Sequence, residues 1–155
     1  MIHSNFGHYF EDFTSNEIIE HSLSKTIFES DNNLFSLLTM NHHPVHTNIQ
    51  YASNNKHKKI LVVGTLVFSL AVGITVPEIS GKAIANLEYS EIKHLKPVYI
   101  NDTIHCKTRV LSTRKSQSNP HQGIVSVETI VYNQEQAPVL SFKRNVLLKC
   151  RAYDN

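Results

Sequence analysis

Ile60-Leu61-Val62-Val63-Gly64-Thr65-Leu66-Val67-Phe68-Ser69-Leu70-Ala71-Val72-Gly73-Ile74-Thr75-Val76 is an almost uninterrupted apolar run, and its reading decides the fold. Lys56, Lys58 and Lys59 flank its N-terminal end, as charges flank a membrane span. A span needs about 20 residues, and this run falls slightly short. It also holds Gly64 and Gly73 and stops at Pro77, and the segment beyond that proline is strand-like and polar. The run therefore reads as one buried central helix, apolar on every side because other elements wrap it.

Composition agrees with a wrapped core. The chain has 155 residues, 41% hydrophobic and 18% charged, which fits one globular domain over residues 1–155 with a sizeable core. A formal net charge of +2 does not call for nucleic acid. Ten histidines are many, but most lie outside any ligand spacing. His42 and His46 are four apart, yet Pro44 between them argues against a shared helical face, so no metal is expected. The two cysteines, Cys106 and Cys150, sit in strand-like segments and read as small packing residues. Met1 to Phe13 is polar and acidic, unlike a signal peptide, which makes a cytoplasmic location the expectation.

Outward from the central run, two textures differ. Before it, Met1 to Asp12 reads as a loose lead-in and Ile18 to Phe28 as an extended segment. Thr26-Ile27-Phe28-Glu29 fits a capping box. It opens an amphipathic helix with Leu34, Phe35, Leu37 and Leu38 near one face, ending near Met40. Asn48 to Ala52 suggests another short helix. After the run, strands are expected at Lys82–Tyr89, Thr103–Thr113, Ile124–Tyr132 and Val139–Lys149, with turn residues between them. The second of these alternates Ile104, Cys106, Thr108 and Val110 against His105, Lys107 and Arg109. Helices followed by a run of strands point to α+β, with the apolar helix against a curved antiparallel sheet.

Between the short helix and the central run stands Asn41-His42-His43-Pro44-Val45-His46. With Thr26 to Asn32, Tyr51-Ala52, Gly64, Lys96-Pro97-Val98-Tyr99-Ile100-Asn101-Asp102-Thr103, Gln122 to Val125 and Asn133-Gln134, its order and spacing resemble the MaoC-like dehydratases, or R-specific enoyl-CoA hydratases. The resemblance covers nearly the whole chain. It implies a hot dog fold, assembled as a homodimer or dimer of dimers with sheets joined edge to edge. It also implies a lyase adding water to an α,β-unsaturated acyl-CoA, with coenzyme A as part of the substrate and no separate cofactor. Leu38-Thr39-Met40-Asn41 with the Pro-x-His partner is similar to a subgroup acting on mesaconyl-CoA and β-methylmalyl-CoA.

The family's Asp-x-Asn-Pro-Leu-His motif falls on Asn41 to His46. His46 takes the place of the catalytic histidine, and histidine as a residue type, with an unperturbed pKa of about 6.5, suits proton transfer. Asn41 takes the place of the catalytic aspartate, and an amide can neither take nor give a proton. It either orients the attacking water or the substrate carbonyl, or it is a turn asparagine bonding its own backbone. His43 replaces the motif asparagine. Gly64 takes the place of the oxyanion glycine, whose N–H would lie at the positive end of the central helix. Arg114, Lys115 and Ser116 open a polar loop that could meet coenzyme A phosphates, as could Lys143 and Arg144. Two other readings remain open at this level: a non-catalytic acyl-CoA-binding protein that lost the aspartate, and a hot dog thioesterase.

Overall fold

A computed structural model describes residues 6–153. Residues 1–5 of the expected lead-in lie outside the described part, and a 3₁₀ turn follows at Phe10–Asp12. Then come β1 (Ile18–Thr26), α1 (Glu29–Thr39), α2 (Pro44–Thr47), α3 (Ile49–Asn54) and α4 (Gly64–Thr75). The chain finishes with β2 (Ala83–His94), β3 (Thr103–Lys115), β4 (Gln122–Tyr132) and β5 (Pro138–Lys149), before a last 3₁₀ turn at Arg151–Tyr153. The strands form one antiparallel sheet in the order β1-β3-β4-β5-β2. The expected α+β arrangement, an apolar helix against an antiparallel sheet, is what the chain builds.

The long apolar run splits into three parts. Ile60 to Val63 is extended: Val62 N–H donates to Val98 O at 2.9 Å, and Leu61 bridges to Tyr99. The helix proper starts only at Gly64, later than the apolar pattern suggested, because the preceding residues find sheet-like partners. At the other end the chain does not stop at Pro77. A π-helical turn at Val76–Ser80 carries it on, with Pro77 near the start where its missing N–H is tolerated. No helix among the described residues is long and apolar enough to cross a membrane.

The alternation in β3 is realised as read: Ile104, Cys106, Thr108 and Val110 are buried on the α4 face. Around α4, Val63, Leu66, Val67 and Ala71 pack with Ile104, Cys106, Val131, Leu140 and Phe142. Beyond the helix, Phe13, Ile79, Val110, Val125, Val127, Val146 and Leu148 form a second cluster. Three adjacent strands cross from one cluster to the other through a polar position: Cys106-x-Thr108-x-Val110, Val131-x-Thr129-x-Val127 and Phe142-x-Arg144-x-Val146. With a side-chain period of two, the three polar residues share the inner face and form a layer across the core.

Two local expectations fail at α1. Its N-cap is Phe28, and Asp31 reaches back to the Phe28 N–H at 2.9 Å, so the cap lies two residues beyond Thr26. Thr26 instead meets Thr103 hydroxyl to hydroxyl at 2.7 Å. The leucines of α1 also point outward, with Leu37 66% and Leu38 73% exposed; Phe35 alone of its apolar residues reaches the core, and Asn32 and Ser36 are the buried ones. Asn32 turns inward because it has backbone groups to hold.

Candidate active site

Pro44 opens α2 at its first turn, where a fixed φ fits the helix and no N–H is missed. The His43 ring caps it, Nδ1 accepting from the Val45 N–H at 3.2 Å. The proline that makes a shared His42–His46 face untenable thus starts a four-residue helix and places His46 on it. Asn48 caps α3 in turn, its Oδ1 accepting from the Tyr51 N–H at 2.9 Å. The half-buried His46 ring lies 2.7 Å through Nδ1 from Leu61 O. A carbonyl only accepts, so the neutral ring carries its hydrogen on Nδ1 and leaves the Nε2 lone pair for a proton.

Asn32 couples this histidine to α4. Its Nδ2 donates to His46 O at 2.9 Å, and its Oδ1 accepts from the Val63 N–H at 2.9 Å. The side chain is 1% exposed, so both bonds work in a dry setting where losing either would strand a polar group. Sequence reading gave Asn32 no role. The apolar periodicity of α1 gave no signal for it, because it places Asn32 opposite the leucines, on the side expected to face solvent.

With the Val63 N–H taken, the N–H groups of Gly64 and Thr65 come next, too early in α4 to reach a carbonyl one turn back. Both residues line a cavity of about 560 Å³, which Asn41, His57, His94 and Lys96 also border. No carboxylate lines it. Asn41 and Gly64 are therefore brought together. Asn41 is half-buried just past the left-handed Met40, which closes α1, and its side chain has no hydrogen-bond partner among the described residues. It is not the self-bonding turn asparagine. His46 borders a neighbouring cavity of about 360 Å³ with Glu29, Asn48 and Ile60. Leu61, whose carbonyl it holds, lines the larger one.

The Pro97–Thr103 turn forms the other wall. Asn101, where the resembled family has glycine, adopts φ 73°, a left-handed conformation that asparagine tolerates. Asp102 fixes the turn by accepting from the Tyr99 N–H at 2.8 Å and from Gln134 Nε2 at 2.9 Å. At the rim, Tyr99 meets His57 Nδ1 at 3.0 Å and carries Lys59 Nζ 4.0 Å above its ring.

The proposed coenzyme A contacts are not gathered here. Arg114 and Lys115 end β3, about 40 Å along the strand from Thr103 at ~3.3 Å per residue. Lys115 Nζ is engaged with Cys150 Sγ at 3.0 Å and Glu11 at 3.4 Å, and Ser116 Oγ faces Ser118 Oγ at 3.3 Å. Lys143 pairs with Glu91 at 2.7 Å. Arg144 is 1% exposed and hydrogen-bonds Thr75 at 3.1 Å, so it cannot meet a solvent-borne phosphate in this structure. Burial pushes the Cys106 thiol up to about 12, which leaves it a packing residue and not a nucleophile. Among the described residues no three His, Cys, Asp or Glu side chains gather around a point that one ion could occupy.

Comparison with known proteins bears on this geometry. A family model described as MaoC like domain matches residues 12–133. The chain is 34% identical over 148 residues to a mesaconyl-CoA hydratase of Cereibacter sphaeroides, covering 96% of this chain and 43% of that protein. A putative MaoC domain dehydratase from Chloroflexus aurantiacus superposes with a TM-score of 0.91 at 30% identity, covering 97% of this chain and 43% of that one. A Mycobacterium tuberculosis protein with a double hotdog fold superposes at 0.86 with 18% identity, covering 96% and 46% of the two chains. The fold is the hot dog fold, and the chain spans less than half the length of these relatives.

Proposed function

Because this chain belongs to the MaoC-like domain family, we propose that it adds water reversibly to an α,β-unsaturated acyl-CoA thioester. The observation that carries the reading is His46: one nitrogen held by Leu61 O, the other spare, and its backbone tied through Asn32 to the start of α4. Water gives a proton to His46 Nε2 as its oxygen bonds the substrate Cβ. The π electrons move toward the thioester oxygen, where the Gly64 N–H can receive the developing charge. Cα then takes a proton back from the His46 imidazolium, and the ring returns to its resting tautomer. Asn41, its carboxamide unpaired beside Gly64, orients the water or the carbonyl. Coenzyme A enters as part of the substrate, and no separate cofactor is needed for these steps.

The acyl group is proposed to be a branched C5 dicarboxylic one. The similarity to a mesaconyl-CoA hydratase supports that choice, as does a cavity lined by His57, His94 and Lys96 without a carboxylate. For assembly, the reading is an edge-to-edge pairing of hot dog units through β2. That strand ends the sheet and exposes Ile84, Leu87, Tyr89 and Ile92, a row that an unpaired edge would leave open to aggregation.

One assay tests the activity. Pure protein is incubated with crotonyl-CoA or mesaconyl-CoA while conjugated-thioester absorbance and free thiol are followed together. Absorbance falling without free thiol is the expected result. Free thiol would instead indicate a thioesterase. A second reading, an acyl-CoA-binding protein without turnover, draws on Asn41 in the aspartate position. It predicts neither signal, with CoA esters still raising the melting temperature.

A further inference from the structure

We propose that His94 is a second oxyanion donor, paired with the Gly64 N–H on the thioester oxygen; this rests on the hydratase reading above. His94 is the last residue of β2, opposite Leu140 of β5. Its ring lies over Gly64 in the space a side chain would fill. A Cβ built on Gly64 would come within 2.7 Å of His94 Cε1, 3.1 Å of Nε2 and 3.2 Å of Nδ1. Glycine at this position therefore does two things: it starts the helix and admits the imidazole to the helix N-terminus. The ring borders the same cavity as Gly64 and Asn41 and has no hydrogen-bond partner among the described residues.

The ionisable groups that share its cavity are His57, from the loop before α4, and Lys96, from the turn after β2. The lining part of α4 supplies Gly64 and Thr65, and the segment after α1 supplies Asn41. No carboxylate in the lining competes for the imidazole N–H, and a neutral imidazole still has one to donate. As water oxygen bonds Cβ and its proton passes to His46 Nε2, the thioester oxygen gains the electron pair. The His94 and Gly64 N–H groups hold that oxygen until Cα takes the proton back. His94 itself neither gains nor loses a proton. The arrangement supplies stabilisation at the oxygen where an amide in place of the family acid leaves His46 to move both protons.

Three variants of the full chain isolate the donor: His94→Phe keeps a ring without the N–H, His94→Gln keeps an N–H without the ring, and His94→Ala keeps neither. With crotonyl-CoA and mesaconyl-CoA, kcat should fall about 100-fold in the Phe and Ala variants, the scale of losing one oxyanion donor, with KM changed severalfold at most. The Gln variant should recover at least about tenfold of that loss. Melting temperatures of the three variants report folding separately. Wild-type kcat in the Phe variant overturns the proposal and leaves the hydratase reading standing. Equal loss in the Gln and Phe variants also overturns it. Hydration of neither thioester by the wild-type chain removes the hydratase reading, and this inference with it.

Discussion

At the N-terminal end of α4, His46 commits one ring nitrogen to Leu61 O and keeps the other; at the C-terminal end, His21 commits both. His21 Nδ1 lies 2.9 Å from Glu78 Oε2, and a carboxylate only accepts, so Nδ1 donates. Nε2 then accepts from the Thr108 hydroxyl at 2.7 Å, and Thr108 in turn accepts from Thr129 at 2.8 Å. Ser22 donates to the other Glu78 oxygen at 3.1 Å. Both ring nitrogens of His21 are thus engaged. The His21 side chain is fully buried and His46 half-buried, but what separates their roles is the nitrogen left over. A ring with both nitrogens assigned holds the fold together, and a ring with one unassigned nitrogen beside a cavity can do chemistry.

The same contrast covers the cations. Lys96 and His57 border the open cavity at one end, whereas Arg144 lies sealed at the other with Nε and Nη1 lacking partners. Burial holds the Arg144 guanidinium below its usual range, with Tyr89 on β2 countering. One hydrogen bond to Thr75 joins this buried cation on β5 to α4.

These differences can be broken one residue at a time. The largest expected effect is at the working end: His46→Ala should cut hydration by about 10²–10⁴-fold, while losing the hydrogen bond to Leu61 O should cost only about 0.5–1.5 kcal/mol of stability. A rate within tenfold of wild type would remove His46 as the base. At the structural end the signature reverses. His21→Ala should destabilise the chain by about 1–3 kcal/mol in a denaturant titration, with turnover per folded molecule unchanged. A loss of turnover without a loss of stability would contradict the assignment.

Acid should separate the two ends further. Burial pushes the His21 pKa below its ordinary value against the pull of Glu78. Below about pH 6.5 the unfolded chain takes up a proton that folded His21 resists, so stability should fall as pH drops toward the lowered value. The slope from this group is at most about 1.4 kcal/mol per pH unit. Partial burial raises the Glu78 carboxyl, but hydrogen bonds from His21 and Ser22 outweigh it and leave the pKa below its usual value. Its contribution is present above the ordinary carboxylate range and disappears only at lower pH. Unfolding followed from pH 7 to pH 5 should show the first slope, and His21→Gln should flatten it. Two smaller effects complete the series. Arg144→Met should change stability by no more than about 1 kcal/mol, since it removes a stranded charge as well as a hydrogen bond. Asn41→Asp should keep or raise hydration, and loss of activity would mean the pocket is shaped for an amide.

Some of this was legible from the chain. The period-two pattern of β3 gave its buried face correctly, because alternation is a property of the strand backbone whatever it pairs with. The histidine of interest and the glycine that opens α4 were both found through motif order. His94 and Asn32 were not. Nothing near His94 in sequence marks it, and its contact with Gly64 comes from β2 running past the start of α4. The face of α1 was legible as apolar, but apolar does not mean inward when a neighbouring backbone needs hydrogen bonds more than the core needs another leucine.

The sequence by itself determined an α+β chain built on one apolar helix, a histidine two residues behind a proline, and an amide at Asn41 where the resembled family has an acid. Hydrophobic period, helix-breaking residues and side-chain chemistry are local properties, so they can be read in order along the chain. Only the tertiary structure decided which histidine is spare and which is spent. It also decided that Asn32 fastens His46 to α4, that His94 rests on Gly64, and that Arg144 is out of reach of solvent. Those facts depend on which groups meet across the fold, and a side chain's role follows from the partners it finds and the nitrogen it has left.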